Sequence, residues 1–381
     1  MRLTRQQLDD VKQQYNVNRV WSFSRLSTWR NCKREYWARY MRHMHLDSDS
    51  VYLVFGNASH NLIQSVVDGR VQPAGALNAW EKIVSRWDMD ESSPRFDNRK
   101  IRDGYINNLQ SYFSHVNIPA GRNFTNEKPV LTKVGKYIFV GYIDTQFVDE
   151  DNNLVLIDYK TSSKSSFTKA KLPEKSQQLM LYAIGKHQQT GLPFERIKAR
   201  FDMLKYCRIH YKQENGKWKD TIQERSSWVA SMEKRLRTKL KKVGVDEEKV
   251  NELVTLATLH NHLKDLPQEV QEQFWVENYY IELNITEETC QEVLKEIEQQ
   301  CDEIVQFESK DEADQEAWLK INARFDSNNY YDTHLCSYHT SDEFKKKRGE
   351  LKDKLAPQFD LNDSNYTGMF SNDNVTDNLF S

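Results

Sequence analysis

The chain has 381 residues, with 54 Lys and Arg against 56 Asp and Glu and 12% aromatic side chains, which suits a globular protein long enough to bury a sizeable core. No run approaches ~18 consecutive apolar residues, so no membrane span is expected. The opening MRLTRQQLDD lacks the apolar stretch of a secretory signal, and five scattered cysteines, an odd number, argue against a disulfide framework and for a reducing cytoplasm.

The charge is unevenly spread. Residues 1–45 carry ten Lys or Arg against three Asp or Glu, and residues 158–205 carry ten against four. The last 23 residues carry four Asp and no basic residue. Basic segments in a near-neutral chain fit a polyanion held at one face, although such runs also occur as solvated helix faces.

In chain order, residues 22–45 read as one basic, aromatic helix capped by Ser24, with Trp29, Tyr36 and Tyr40 interleaved among Arg25, Arg30, Lys33, Arg34, Arg39 and Arg42. Helices are expected over 51–68 and 74–118, the second broken at Pro94. Strands follow at Tyr137–Asp144 and Leu154–Lys160, separated by the polar turn 149–153, a hairpin signature. A helix over 173–185 and a strand over 201–206 come next. Residues 212–273 read as charge-rich and helical, and a strand at 279–285 and an acidic helix at 286–308 follow. The expected fold is α/β, a central mixed sheet flanked by helices. Its expected units are a core over 1–211, a charged helical insertion over 212–273, the rest of the core over 274–356, and a disordered acidic tail over 357–381. Met369-Phe370 and Leu379-Phe380 in that tail suit docking to a protein partner, and an inert solubilising terminus is the alternative.

The hairpin carries the chemistry. With a five-residue loop, Val148 faces Leu154, and the register places Asp144 opposite Asp158. Lys160 shares the face of Asp158, because side chains alternate along a strand. Opposed carboxylates destabilise a sheet, so the patch asks for a cation. Hard oxygen donors suit Mg²⁺ or Mn²⁺. The competing reading is a solvent-facing hairpin with an ordinary salt bridge. The apolar run Leu154-Val-Leu-Ile157 favours a buried strand whose end delivers charge.

Gly141-Tyr-Ile-Asp144 followed by Leu156-Ile-Asp158-Tyr-Lys160 resembles the PD-(D/E)XK nucleases, most closely their RecB-like and Cas4-like branch. Ser22 to Cys32 is similar to that branch's opening helix. Gly56-Asn-Ala-Ser-His60 matches its Gly-x-x-x-His motif, and Gln178-Leu-Met-Leu-Tyr182 its Gln-x-x-x-Tyr motif. The resemblance implies Asp144, Asp158 and Lys160 as the catalytic core. It implies His60, Asp144, Asp158 and the Tyr159 carbonyl as ligands of Mg²⁺ or Mn²⁺. Gln178 and Tyr182 would hold DNA near the metal, with the basic Arg25 and Arg30 as further substrate contacts. Glu127 falls where the branch often has an acidic residue, in an uninformative local sequence. Single- and double-stranded DNA, and exo- and endonuclease action, stay open. An exonuclease-type role in replication, recombination or repair is the natural context, phage-encoded and acting in a host cytoplasm included. A non-catalytic DNA-binding scaffold on the same fold and a restriction-type endonuclease are the alternatives.

The cysteines depart from the branch, some of whose members carry an iron–sulfur cluster. Cys32 sits at the matching first position, but near the end there is only Cys336-Ser-Tyr-His339. A cluster needs about four soft ligands and is not expected. Cys32, Cys336, His339 and His334 would satisfy zinc chemistry, and ordinary small core residues are the alternative.

Overall fold

The structure, a computed structural model, describes residues 2–44, 46, 50–329 and 331–355. The expected tail at 357–381 lies outside the described residues. A seven-stranded mixed sheet forms the middle of the protein. Its first helix, α1 (Arg5–Tyr15), starts on a Thr4 capping box. A short β1 (Val20–Trp21) leads into α2 (Phe23–Asn31) and α3 (Lys33–Tyr36). The single helix expected over 22–45 is therefore corrected. It breaks at Cys32, where φ −154° and ψ 102° leave the helical region, and it continues after α3 as a π-turn over Trp37–Met41. Its cap is Ser22, whose side chain accepts from the Arg25 amide, and not Ser24.

Helices α4 (Val51–Val67), α5 (Ala76–Met89) and α6 (Arg99–Phe113) fill the stretches expected to be helical. The sheet continues with β2 (Arg122–Val134), β3 (Tyr137–Val148) and β4 (Leu154–Lys160), then α7 (Leu172–Thr190) and β5 (Ile197–Lys212). Strands β2, β3 and β4 run antiparallel to one another, whereas β1 runs parallel to β3 and β5 runs parallel to β4. The parallel step needs a crossover, and α7 supplies it.

The two faces of β4 are covered by different helices. Val155, Ile157 and Tyr159 pack with α4, α5 and α6 in one core. Leu156 packs with Leu179, Tyr182 and Ala183 of α7 in another. This double cover explains why β4 reads as a continuous apolar run.

Residues 212–273 are not wholly helical. They include β6 (Trp218–Glu224), which pairs with the far half of β5. Helices α8 (Trp228–Ser231), α9 (Glu233–Lys242), α10 (Glu247–His260) and α11 (Gln268–Gln271) follow. They build a separate core on Cys207, Ile209 and Tyr211 of that far half. Strand β7 (Phe274–Glu282) returns along the other edge of β5. Helix α12 (Glu287–Glu308) then packs against α2, β3 and α7, followed by α13 (Glu312–Asn322) and α14 (Asp342–Leu355). No helix among the described residues is long and apolar enough to cross a membrane.

Candidate active site

The hairpin between β3 and β4 pairs Val148 with Leu154 and Thr145 with Ile157. One step further, this register sets Asp144 opposite Asp158. The Tyr159 amide donates to Asp144 Oδ2 at 3.0 Å. On the other edge of β3, Asn126 pairs with Thr145 and Lys128 with Ile143, which sets Glu127 opposite Asp144. Three carboxylates thus form a row across three adjacent strands.

The backbone is irregular along that row. Glu127 takes φ +48°, a left-handed conformation that costs a side-chain-bearing residue roughly 1–2 kcal/mol. Ile143 faces the α7 side and Phe147, four residues on, faces the α4 side, so the alternation of β3 slips by one around Asp144. Strain and slippage together sit where like charges are crowded.

Helix α4 brings His60 to the row. Asn126 fixes the helix to the sheet: its amide donates to Asp68 at 2.6 Å, and its carbonyl oxygen accepts from Thr145 Oγ1 at 2.6 Å. His60 then lies with Nε2 2.7 Å from the Tyr159 carbonyl oxygen and Nδ1 3.2 Å from Asp144 Oδ2. Burial lowers the His60 pKa, against the charges of Asp158 and Glu127, so a neutral imidazole lone pair is available at neutral pH.

Burial first, and then the charge of Asp158, hold the Asp144 carboxyl well above the usual range. Glu127 pushes the same way, against Lys160 and the Tyr159 amide. On the neighbouring strand Lys160 Nζ is 2.7 Å from Asp158 Oδ1. Burial works against that ammonium, but the two aspartates outweigh it and leave Lys160 above its ordinary value. Among the described residues, His60, Asp144 and Asp158 do not close into one tight ligand cluster, because the Asp158 carboxylate is drawn to Lys160. The donor set is nonetheless that of a hard divalent cation: carboxylates, a carbonyl oxygen and one imidazole. A cation here would relieve the like-charge crowding and free Asp158 from its lysine.

On the α7 side, Gln178 Nε2 donates to Tyr182 Oη at 2.8 Å. Burial pushes the Tyr182 hydroxyl up to about 12, and the charges of Asp158 and Asp144 add to it. Both residues of the Gln-x-x-x-Tyr pair therefore stand beside the acidic row. A groove of about 1200 Å³ opens on the α4 side, lined by His60, Tyr159 and Lys160 and walled by Tyr52, Tyr105, Lys100 and Lys205. Sequence reasoning missed this wall, because Tyr105 and Lys205 belong to segments without a motif.

Arg25 and Arg30 do not line this groove. The Arg25 guanidinium donates to Glu308 at 2.6 Å and to the Tyr36 hydroxyl at 2.7 Å, over the ring of Tyr40. The Arg30 guanidinium donates to Gln300. Both guanidinium groups are thus engaged by side chains of α12, away from the groove.

The family model of the PD-(D/E)XK nuclease superfamily matches residues 20–339, which takes in both sides of this site. No curated protein matches the chain.

Proposed function

Because the chain belongs to the PD-(D/E)XK nuclease superfamily, whose members are mostly metal-dependent nucleases, we propose that it is a Mg²⁺- or Mn²⁺-dependent deoxyribonuclease. The observation that carries this reading is the acidic row Glu127, Asp144 and Asp158, with His60 and the Tyr159 carbonyl at one end and Lys160 beside it. His60, Asp144, Asp158 and the Tyr159 carbonyl would hold the cation, which would supply Lewis-acid polarisation of the phosphate and a more acidic bound water. Lys160, kept as an ammonium by its aspartates, orients that water and stabilises charge developing on the phosphate oxygens. Gln178 and Tyr182 hold the neighbouring phosphate or sugar from the α7 side. Lys100 and Lys205 in the groove wall draw in the backbone. Exonuclease-type processing in replication, recombination or repair is the role this reading favours.

The test is digestion of end-labelled single- and double-stranded DNA by the wild type, Asp158→Asn and Lys160→Ala, with EDTA as control. Metal-dependent cleavage lost in both variants supports the assignment. Undiminished cleavage by either variant would overturn it, and the end-labelled products separate exonuclease from endonuclease action.

A further inference from the structure

Cys32 and Cys336 are 304 residues apart in the chain, yet their sulfurs lie 2.9 Å from one another. His339 Nε2 is 3.7 Å from the Cys32 sulfur and 3.2 Å from Asp332 Oδ1. All four side chains are buried. The two sulfurs and the imidazole nitrogen fall within 4.8 Å of one another.

Thiols are weak donors and weak acceptors, so hydrogen bonding alone gives two buried thiols and a histidine little reason to converge. As ligands, two thiolates and an imidazole match tetrahedral zinc, whose fourth position a water or the carboxylate beside His339 can fill. They do not match an iron–sulfur cluster, which needs about four soft ligands. Of the other cysteines, Cys207 lies in the core of the far half of β5, and Cys290 and Cys301 lie on α12.

The surroundings orient the ligands. Cys32 is at once the last cap of α2 and the first cap of α3, and its sulfur accepts the Glu35 amide at 3.4 Å. Glu35 in turn accepts the Tyr331 hydroxyl at 2.9 Å. The His339 ring packs against Phe325 and Phe344. A π-turn lies close to the cysteine on each arm, at 37–41 and at 331–335, and such wide turns are frequent at functional sites. Apolar packing is thin here: Cys32, Ala38, Cys336 and Tyr338 are the buried members of a small cluster.

We propose that Cys32, Cys336 and His339 bind one zinc ion, separate from the carboxylates of the hairpin, with the Asp332 carboxylate beside His339 supporting the ligand shell. The site clamps the opening helices α2 and α3 to the C-terminal segment 331–339. Binding moves the sulfurs apart from their 2.9 Å contact, because two zinc–sulfur bonds of ~2.3 Å at a tetrahedral angle span more than that.

Elemental analysis of the purified full-length protein, dialysed against EDTA and returned to Mg²⁺, tests the proposal. About one zinc per chain is expected, and replacement by Co²⁺ should give thiolate-to-cobalt charge-transfer and tetrahedral d–d bands. Cys336→Ser should lose the zinc and melt at a lower temperature at fixed Mg²⁺. Asp332→Asn should keep the zinc with ~10–100-fold weaker affinity, as for loss of a ligand-shell carboxylate. Should Cys336→Ser not fold, His339→Cys decides, since it should retain the metal and shift the cobalt bands. A wild-type protein without zinc, or one whose intact mass shows Cys32 and Cys336 oxidised to a disulfide, overturns the proposal. So does iron with acid-labile sulfide, or zinc that is insensitive to both cysteine and histidine variants.

Discussion

The ring of Tyr182 lies directly on the backbone of Gly141, so closely that a Cβ there would overlap its Cε1. Gly141 is the last small residue before the acidic end of β3, and its missing side chain lets α7 approach the sheet. A Gly141→Ala substitution should lower stability by about 1–3 kcal/mol, the usual cost of overpacking. It should also weaken cleavage by displacing Tyr182 and Gln178. Thermal melting and steady-state digestion measure the two effects. An unchanged melting temperature would show that α7 can withdraw at no cost.

Asp144 is buried and stands beside Asp158 and Glu127, and burial first and then these charges hold its folded-state pKa above the unfolded value. A raised carboxyl binds its proton more tightly in the folded state. The metal-free protein should therefore lose stability as pH rises from the ordinary aspartate range through that higher pKa. Asp144→Asn should remove this loss, making the EDTA-treated protein more stable at neutral pH while abolishing cleavage. Mg²⁺ should raise the melting temperature of the wild type and leave the variant unmoved. A variant less stable than wild type in EDTA would contradict like-charge crowding.

Glu308 collects Arg19 at 2.7 Å, Arg25 at 2.6 Å and the Tyr36 hydroxyl at 2.5 Å. Burial alone would raise its pKa, but these contacts outweigh burial and lower it. Its stabilisation is present above the ordinary glutamate range of about 4.3 and is lost as pH falls through the lower folded value. Glu308→Ala, which leaves two partly buried guanidinium groups and the Tyr36 hydroxyl without their carboxylate, should cost roughly 1–3 kcal/mol. Glu308→Gln should flatten the acid limb of the stability curve, and urea titrations between acidic and neutral pH would show whether it does.

Lys205 Nζ sits 4.5 Å from the centre of the Tyr105 ring in the groove wall. Burial lowers its pKa, against the charge of Glu224. Removing a lysine that meets a phosphate should weaken binding evenly across sequences and reduce the slope of log K against log salt by about one unit. Lys205→Ala binding to a labelled oligonucleotide in Ca²⁺ over a salt series measures this. A parallel shift with unchanged slope would place the lysine away from the phosphates.

The register of the β3–β4 hairpin was legible because its information is local: five loop residues set it, and it sets which side chains face each other. The i, i+4 spacing of Gln178 and Tyr182 is equally local. Strand β2 was not legible, since Arg122–Val134 is polar and contains Pro129. It pairs only with β3, and an open edge tolerates a proline that a central strand would not. That hidden strand also hides the place of Glu127, whose position opposite Asp144 exists only once β2 is paired. The partners of Arg25 and Arg30 were hidden too, since Glu308 and Gln300 lie 283 and 270 residues further on, beyond any local pattern. So was the contact of Cys32 with Cys336, 304 residues away.

Strand β5 divides its partners by position along its length. Its last residue paired with β4 is Met203, and its pairing with β6 starts at Tyr206. The helices between Trp228 and Gln271 pack on Cys207, Ile209 and Tyr211 beyond that boundary, together with Phe274 of β7. The far half of β5 is thus a platform for a second core, mechanically separable from the half that pairs with β4. Strand β4 takes its ladder partners from β3 and from β5 up to Met203, on the other side of that boundary. The link between the halves is Glu224 at the end of β6, which reaches into the groove beside Lys205.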